Sequence, residues 1–525
     1  MFWDCRLVIW MRADAMKGSG DLERWLAPFL ARLGHKARRR MCPLYVEGLI
    51  GPGDRKSVEP MAARLAPGDY DQLHHFISDG VWDETPLEEE LALHADRLVG
   101  GARAALVVDD TALPKKGSHS AGVAPQYASA LGKTANCQAL VSLTLAQNEV
   151  PVMISLRLFL PESWTGDAER LIKAGVPEEA RAARSKPEIA LNEIDRVLAL
   201  GVRFGMVLAD AGYGLSAAFR QGLDARKLTW AVGVPKHQKV YPADVGLVFP
   251  VAGRGRPRKR HIPDQLSLSA EEMLAQAKWR RISWRKGTKG SMAASFAAIR
   301  VRVADGAPQR IHDKGMQHMP GAEAWLVGER RASGERKYSL SNLPADVSLK
   351  RLAAAIKARW VCEQAHQQLK EELGLDHFEG RSWRGLHRHA LMTMIAYAYL
   401  QDRRLREVDG EKNESGAAST DNARDPSRRH RHSRPHVALS VSPLQKDTPP
   451  ITRINLIADH SELRRRGAIR RSARRRTRGP RGRRRRRGGS FPPRRPGSGL
   501  RRNTGSQLVL PRPRRRTRRG RRTPR

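Results

Sequence analysis

Two short apolar runs, Ala104–Val108 and Gly205–Ala209, each stop on an aspartate, Asp109 and Asp210. Runs of this length, bounded by turn-forming residues, read as strands buried on both faces, and such strands need helices on both sides of their sheet. The pair therefore points to an α/β fold. It also sets both aspartates just past strand ends, where open α/β sheets hold their ligands.

The flanking sequence supports that architecture. Ala139–Leu145 and Val152–Leu158 are strand-like and are divided by the polar turn Gln147-Asn148-Glu149, while Pro187–Leu200 has helical periodicity. Residues 20–100 read as helical, with apolar faces in Leu22–Leu33 and Leu87–Val99. From about residue 236 to 336 the character turns to β. Ile299-Arg300-Val301-Arg302-Val303 alternates strictly, predicting one apolar and one basic face, and Trp279 and Trp284 sit among arginines. Ser348–Leu373 is the longest helical stretch expected, and Leu386–Leu400 makes another.

Charge narrows the class of partner. The net charge of +42 is concentrated at one end: residues 421–525 hold 35 Lys and Arg against 5 Asp and Glu, with one aromatic residue, Phe491. Such a segment buries too little apolar surface to offset the entropy of ordering, so a disordered tail is expected from about residue 406. It is also what an accidental extension of a GC-rich reading frame would look like. The remaining chain is still basic, which favours a polyanion. No apolar run approaches the ~18–20 residues of a spanning helix, and Met1–Met11 lacks the layout of a signal peptide. The four cysteines are far apart and show neither disulfide nor zinc spacing. Walker, Gly-x-Ser-x-Gly and His-Glu-x-x-His motifs are missing from the sequence.

Three places concentrate chemistry. On a helix of about 100° per residue, Arg359, Glu363, His366 and Lys370 fall at roughly 0°, 40°, −20° and 20°, on one stripe. That stripe is either a solvated face of i,i+4 pairs or a carboxylate flanked by cations, and Trp360 and Cys362 beside it are unusual for a solvated face. Asp109-Asp110-Thr111 and Asp210-Ala211-Gly212 read either as loop-initiating Asx turns or as two walls of an oxygen-lined cation pocket. Arg254-Gly255-Arg256-Pro257-Arg258-Lys259-Arg260 reads as a basic loop or as an AT-hook for a narrow minor groove.

Together these residues resemble the DDE transposases of bacterial insertion sequences. Asp109-Asp110-Thr111 is similar to that family's first Asp-x-Ser/Thr step, and Asp210 to its second aspartate. Arg359-x3-Glu363-x6-Lys370 is similar to its Tyr-x2-Arg-x3-Glu-x6-Lys signature, with Ile356 standing at the tyrosine. Further family-like words are Pro114-Lys115-Lys116-Gly117, Gly132–Gln138, Leu160–Trp164 and Leu340–Pro344.

The resemblance implies a ribonuclease-H-like core in two parts, residues 101–235 and 337–405. It covers roughly residues 40–405 and goes with a helical DNA-binding region over residues 1–100 and a β-rich basic insertion over 236–336, while composition alone sets apart the tail over 406–525. Asp109, Asp210 and Glu363 would be the catalytic carboxylates, holding two Mg2+ or Mn2+ ions. Arg359 and Lys370 would meet phosphates and Trp360 a displaced base, with Arg254, Arg256, Arg258, Lys259, Arg300 and Arg302 as further DNA contacts. The implied partners are terminal inverted repeats, target DNA and a second copy of the chain, in the cytoplasm at the nucleoid. The alternatives are a DNA-binding relic without activity and a nuclease that cuts without joining.

Overall fold

The computed structural model describes residues 19–128, 131–249, 260–287, 290–311 and 315–421, all within one unit, Met1–Arg429. Five helices come first: α1 (Ser19–Ala31), α2 (Lys36–Ile50), α3 (Val58–Leu65), α4 (Tyr70–Ile77) and α5 (Thr85–Val99). The strands β1 (Gly101–Pro114), β2 (Ala124–Ala128), β3 (Lys133–Gln147) and β4 (Val150–Leu158) follow. Asn148 and Glu149 both have positive φ, the geometry of a two-residue turn whose twist matches the strands it joins.

Short helices α6 (Glu162–Thr165) and α7 (Ala168–Lys173) lead to α8 (Lys186–Ala199), which opens on a capping box between Ser185 and Glu188. Next come β5 (Phe204–Ala209), α9 (Ala211–Gly214), α10 (Ala217–Ala225) and β6 (Trp230–Val234). The β-rich segment expected over 236–336 contains β7 (Lys239–Pro242), β8 (Leu247–Val248), β9 (Ile262–Pro263) and β10 (Leu268–Ser269). It continues through α11 (Ala270–Met273), β11 (Arg280–Gly287), β12 (Gly290–Val303), β13 (Pro308–Arg310), β14 (Met316–His318) and β15 (Glu323–Arg330). The described chain ends with β16 (Arg336–Ser341), α12 (Leu349–Ala358), α13 (Trp360–Glu371) and α14 (Trp383–Asp421).

One twelve-stranded mixed sheet organises the molecule, in the order β10-β7-β12-β15-β16-β6-β5-β1-β3-β2, with β4 on β3 and β11 on β12. β1, β5 and β6 run parallel, and β3 and β16 are antiparallel to their neighbours in that group. Within the β-rich segment β7, β10, β11, β12 and β15 extend the central sheet, while β8–β9 and β13–β14 pair as two small separate sheets. Its alternation is as expected: Val301 and Val303 enter the main core, while Arg300 and Arg302 take the other face.

Two expectations need correction. Ser348–Leu373 is not one helix. It breaks at Arg359, where the Cys362 amide bonds the Arg359 carbonyl three residues back. No glycine or proline marks the break; its partners are tertiary. The longest described helix is instead α14, which runs through Leu386–Leu400 and on to Asp421, beyond the expected end of the core near Arg406. α14 belongs with the N-terminal helices: Tyr45 Oη lies 2.8 Å from His389 Nδ1, and Trp25 meets Tyr399 edge to face. No described helix is long and apolar enough to cross a membrane.

Candidate active site

β1 and β5 pair in parallel as far as Val108 and Ala209, so Asp109 and Asp210 are the next residues on adjacent strands. One of the two positions differs from what the sequence suggests. Asp210 does leave its strand, and it caps α9 by accepting from the Gly212 and Tyr213 amides at 2.9 and 3.2 Å. Asp109 stays inside β1, which continues to Pro114 because β3 keeps pairing with it, Asp109 facing Ser142.

Strand alternation separates Asp109 from Asp110. Asp109 turns toward the helices that follow β16. Its Oδ2 receives the Arg359 guanidinium and lies 3.1 Å from Cys362 Sγ. Asp110 turns to the opposite face, where Lys186 Nζ and Tyr213 Oη take its two oxygens. Asp110 is thus engaged by α8 and α9, and Asp109 is the carboxylate that faces Glu363's helix.

Glu363 lies in the first turn of α13 and is joined to Asp109 by one group. Arg359 Nη2 holds Glu363 while Nη1 holds Asp109, so the guanidinium bridges the two acids. The environments are unequal: the Asp109 side chain is 14% exposed and the Glu363 side chain 60%. Burial pushes the carboxyl of Asp109 above its ordinary range against the pull of Arg359. Burial, reinforced by the charge of Asp109, does the same to Asp210. The paired acids hold the Arg359 guanidinium above its usual range despite burial.

The remaining stripe residues are not a solvated face. His366 is buried, its Nε2 2.9 Å from Ser142 Oγ, and burial pushes its imidazole down to about 3. Ser142 in turn donates to the Asp109 carbonyl at 2.9 Å, a link from α13 through β3 to β1. Lys370 is half-buried in the last turn of α13, where burial lowers its ammonium against the attraction of Asp376 and Glu371. Trp360 packs at the edge of the cluster formed by Val107, Leu208 and Cys362, and Arg285 lies 4.1 Å over its ring while bonding Glu149 at 2.8 Å. Ile356 fills the space between that cluster and the one under α12.

Arg300 and Arg302 are not at this site. Five strand steps separate β12 from β1, about 24 Å. Arg300 is paired with Glu323 at 2.8 Å, and Arg302 donates to the Gly321 carbonyl at 2.9 Å. Arg254, Arg256, Arg258 and Lys259 lie outside the described residues. Reasoning from sequence missed Tyr213, Lys186 and Ser142. The cap at Asp210 and the alternation along β1 are the signals from which Tyr213 and the outward role of Asp110 follow.

Among the described residues, no three His, Cys, Asp or Glu side chains are gathered as a metal-holding set, because Arg359 stands between Glu363 and Asp109. The donors nonetheless suit a hard cation. Burial raises the proton affinity of both aspartates, the charge of Asp109 adds to it at Asp210, and one guanidinium serves both Asp109 and Glu363.

Comparison with known proteins decides the family. The profile described as DDE superfamily endonuclease matches residues 28–291, just over half of the chain. The chain belongs to the DDE superfamily endonucleases. In this DDE protein the matched region holds Asp109 and Asp210 and ends before α13, which carries Glu363. A curated relative, the probable transposase for insertion sequence element IS701 of Microchaete diplosiphon, is 29% identical over 197 residues. That alignment covers 37% of this chain, which spans about half (48%) of the relative's length. Among solved structures, the piggyBac transposase synaptic complex with hairpin DNA aligns over 75% of this chain and 74% of its own. The identity is 11% and the TM-score 0.33, too low for a residue-by-residue correspondence.

Proposed function

We propose that this DDE protein is the transposase of a bacterial insertion sequence. In this proposal it cuts the element's ends and joins the freed 3′-hydroxyls to target DNA. The observation that carries the proposal is the meeting of three acids from distant parts of the chain, Asp109 and Asp210 at adjoining strand positions and Glu363 through Arg359. The order β4-β3-β1-β5-β6, with the parallel strands covered by helices, supports a ribonuclease-H-like core over 101–235 and 337–405. The insertion would be 236–336 and the helical DNA-binding region 1–100.

Asp109, Asp210 and Glu363 are proposed to hold two Mg2+ or Mn2+ ions. Such ions supply Lewis acidity for phosphodiester hydrolysis and transesterification. The chain's own residues do the rest. β1 and β5 fix two carboxylates side by side. Arg359, paired with Glu363 and Asp109 in this structure, would offer its planar fork to two oxygens of the phosphate beside the scissile bond, leaving Glu363 free to serve as a cation ligand. Lys370 is assigned to a phosphate farther along the same helix. Trp360 presents an aromatic face for a displaced base once Arg285 leaves it. Arg300 and Arg302, about 24 Å away, are assigned to DNA outside the cleaved bond, as are Arg254, Arg256, Arg258 and Lys259. Pairing two element ends calls for a homodimer, and the substrate places the protein at the nucleoid of the cytoplasm.

The test uses the purified full chain and duplex DNA from the gene's own flanks, with a target plasmid and Mg2+. Cleavage to 3′-hydroxyl ends followed by joining is the expected result. Cleavage without joining makes the protein a nuclease, and binding without cleavage makes it a relic.

A further inference from the structure

A tyrosine ties the two strand-borne aspartates together. Tyr213 follows Asp210 by three residues, and its backbone N–H donates to Asp210 Oδ1 at 3.2 Å. Its phenol donates to Asp110 Oδ1 at 2.5 Å, and Asp110 is the immediate neighbour of Asp109 on β1. One residue therefore reaches from the carboxylate of Asp210 to the strand that carries Asp109.

The surroundings hold this link in place. Tyr213 is 3% exposed and its ring packs on Phe219 with centroids 5.6 Å apart. Behind it, α9 is pressed on β6: a Cβ on Gly214 would lie 1.9 Å from the Gly233 carbonyl oxygen. The buried Arg220 guanidinium donates to the Gly214 carbonyl and, at 2.8 Å, to Asp305. On the other side Lys186, at the start of α8, neutralises the second oxygen of Asp110. Asp110 is thus matched by a cation and a phenol, while Asp109 and Asp210 repel each other. The β1–β5 ladder stops at Val108 and Ala209, one residue short of both acids, so the tie that Tyr213 makes beyond it bears on their separation, and a small hard cation tolerates little drift in its donors.

We infer that Tyr213 and Asp110 are positioning residues for strand cleavage, their hydrogen bond setting the separation of Asp109 and Asp210. This rests on the proposal that Asp109 and Asp210 hold the cations. Tyr213→Phe removes one hydroxyl and leaves the ring and the amide to Asp210. Asp110→Asn keeps an oxygen for the phenol but loses the charge for Lys186; Asp110→Ala removes both.

Single-turnover cleavage of the flank duplex by the full chain, with Mn2+ titrated, gives the readout beside Mn2+ binding followed by electron paramagnetic resonance. Tyr213→Phe and Asp110→Ala are each expected to slow cleavage by about 10- to 100-fold, the scale of a small misplacement of reacting groups. They should also weaken Mn2+ binding and leave duplex affinity within about twofold. Asp110→Asn should retain more activity than Asp110→Ala, and the double variant should be no slower than Asp110→Ala alone. Tyr213→Phe cleaving at the unaltered rate, while Asp109→Asn and Asp210→Asn are inactive, overturns the inference and leaves the site standing. Losses that multiply in the double variant, or an Asp110→Asn as inactive as Asp109→Asn, overturn it as well. If Asp109→Asn and Asp210→Asn still cleave, both the site and the inference fall. Should Asp110→Ala not melt cooperatively, Tyr213→Phe and Asp110→Asn decide.

Discussion

Asp109 and Asp210 stand at adjoining positions of two parallel strands, whereas Glu363 rides on a helix and its carboxylate meets Asp109 through a single guanidinium. Sheet register brings the first pair level as far as Val108 and Ala209, and the Tyr213–Asp110 hydrogen bond ties the cap that holds Asp210 to β1. The carboxylate of the third acid is exposed and is held by one side chain with rotatable bonds. A site built this way has a rigid half and an adjustable half, and substitutions should treat the two halves differently.

The largest effect is expected in the rigid half. Asp109→Asn and Asp210→Asn should each lower strand cleavage by about a thousandfold or more, since each removes charge worth several kcal/mol to the transition state. Glu363→Gln should be comparably inactive yet leave folding unchanged, because its side chain is 60% exposed. A loss of stability in Glu363→Gln equal to that of a core substitution would erase the distinction.

Arg359→Ala comes next. It should cut activity by about a hundredfold and destabilise the metal-free protein by up to about 3 kcal/mol, because a buried carboxylate loses its partner. Arg359→Lys should recover little, since a point charge cannot hold two acids at once. Thermal melts with and without Mn2+ check this, the cation restoring part of the lost stability.

A smaller effect separates function from stability. Burial and mutual repulsion raise the proton affinity of Asp210 in the folded state. Between its unfolded pKa and its raised folded value, the folded protein binds more protons than the unfolded chain. Stability therefore falls as pH rises through that window and stays low above it. Asp210→Asn keeps a good helix cap and removes this penalty. The melting temperature near pH 7 should rise by about 2 °C or more while cleavage is lost. An unchanged or lower melting temperature would show that the aspartate is not strained in its place.

The smallest effect is expected farthest away. Arg302 is already engaged by carbonyls, so Arg302→Ala should weaken duplex binding no more than about threefold and reduce its salt dependence by at most about one ion. A loss of cleavage with binding intact would bring Arg302 into the chemistry.

Much of the rigid half is legible in the sequence. The apolar runs before Asp109 and Asp210, the Asn148-Glu149 turn and the alternation of Ile299–Val303 all carry local periodicity that the sheet then uses. The family-like words prove to be scaffold: Asn136 Nδ2 ties the carbonyls of Lys115 and Gly117, and Asn342 Oδ1 accepts the Trp230 amide. The adjustable half is less legible. Nothing between Ala358 and Trp360 signals a helix break, because both sides have good helical periodicity and the partner of the residue at the break, Asp109, is 250 residues away. The same holds for His366, whose partner is Ser142 of β3. Asp109 and Asp110 are adjacent in sequence yet take opposite faces of β1, Asp109 toward Arg359 and Asp110 toward Lys186 and Tyr213.

The central claim is that Asp109, Asp210 and Glu363 form one divalent-cation site whose entrance Arg359 spans. Mn2+ binding to the full chain, followed by electron paramagnetic resonance, tests it most directly. Two ions bound per chain are predicted, lost in Asp109→Asn and Asp210→Asn and weakened in Glu363→Gln. Mn2+ binding that is unchanged in all three variants would contradict it.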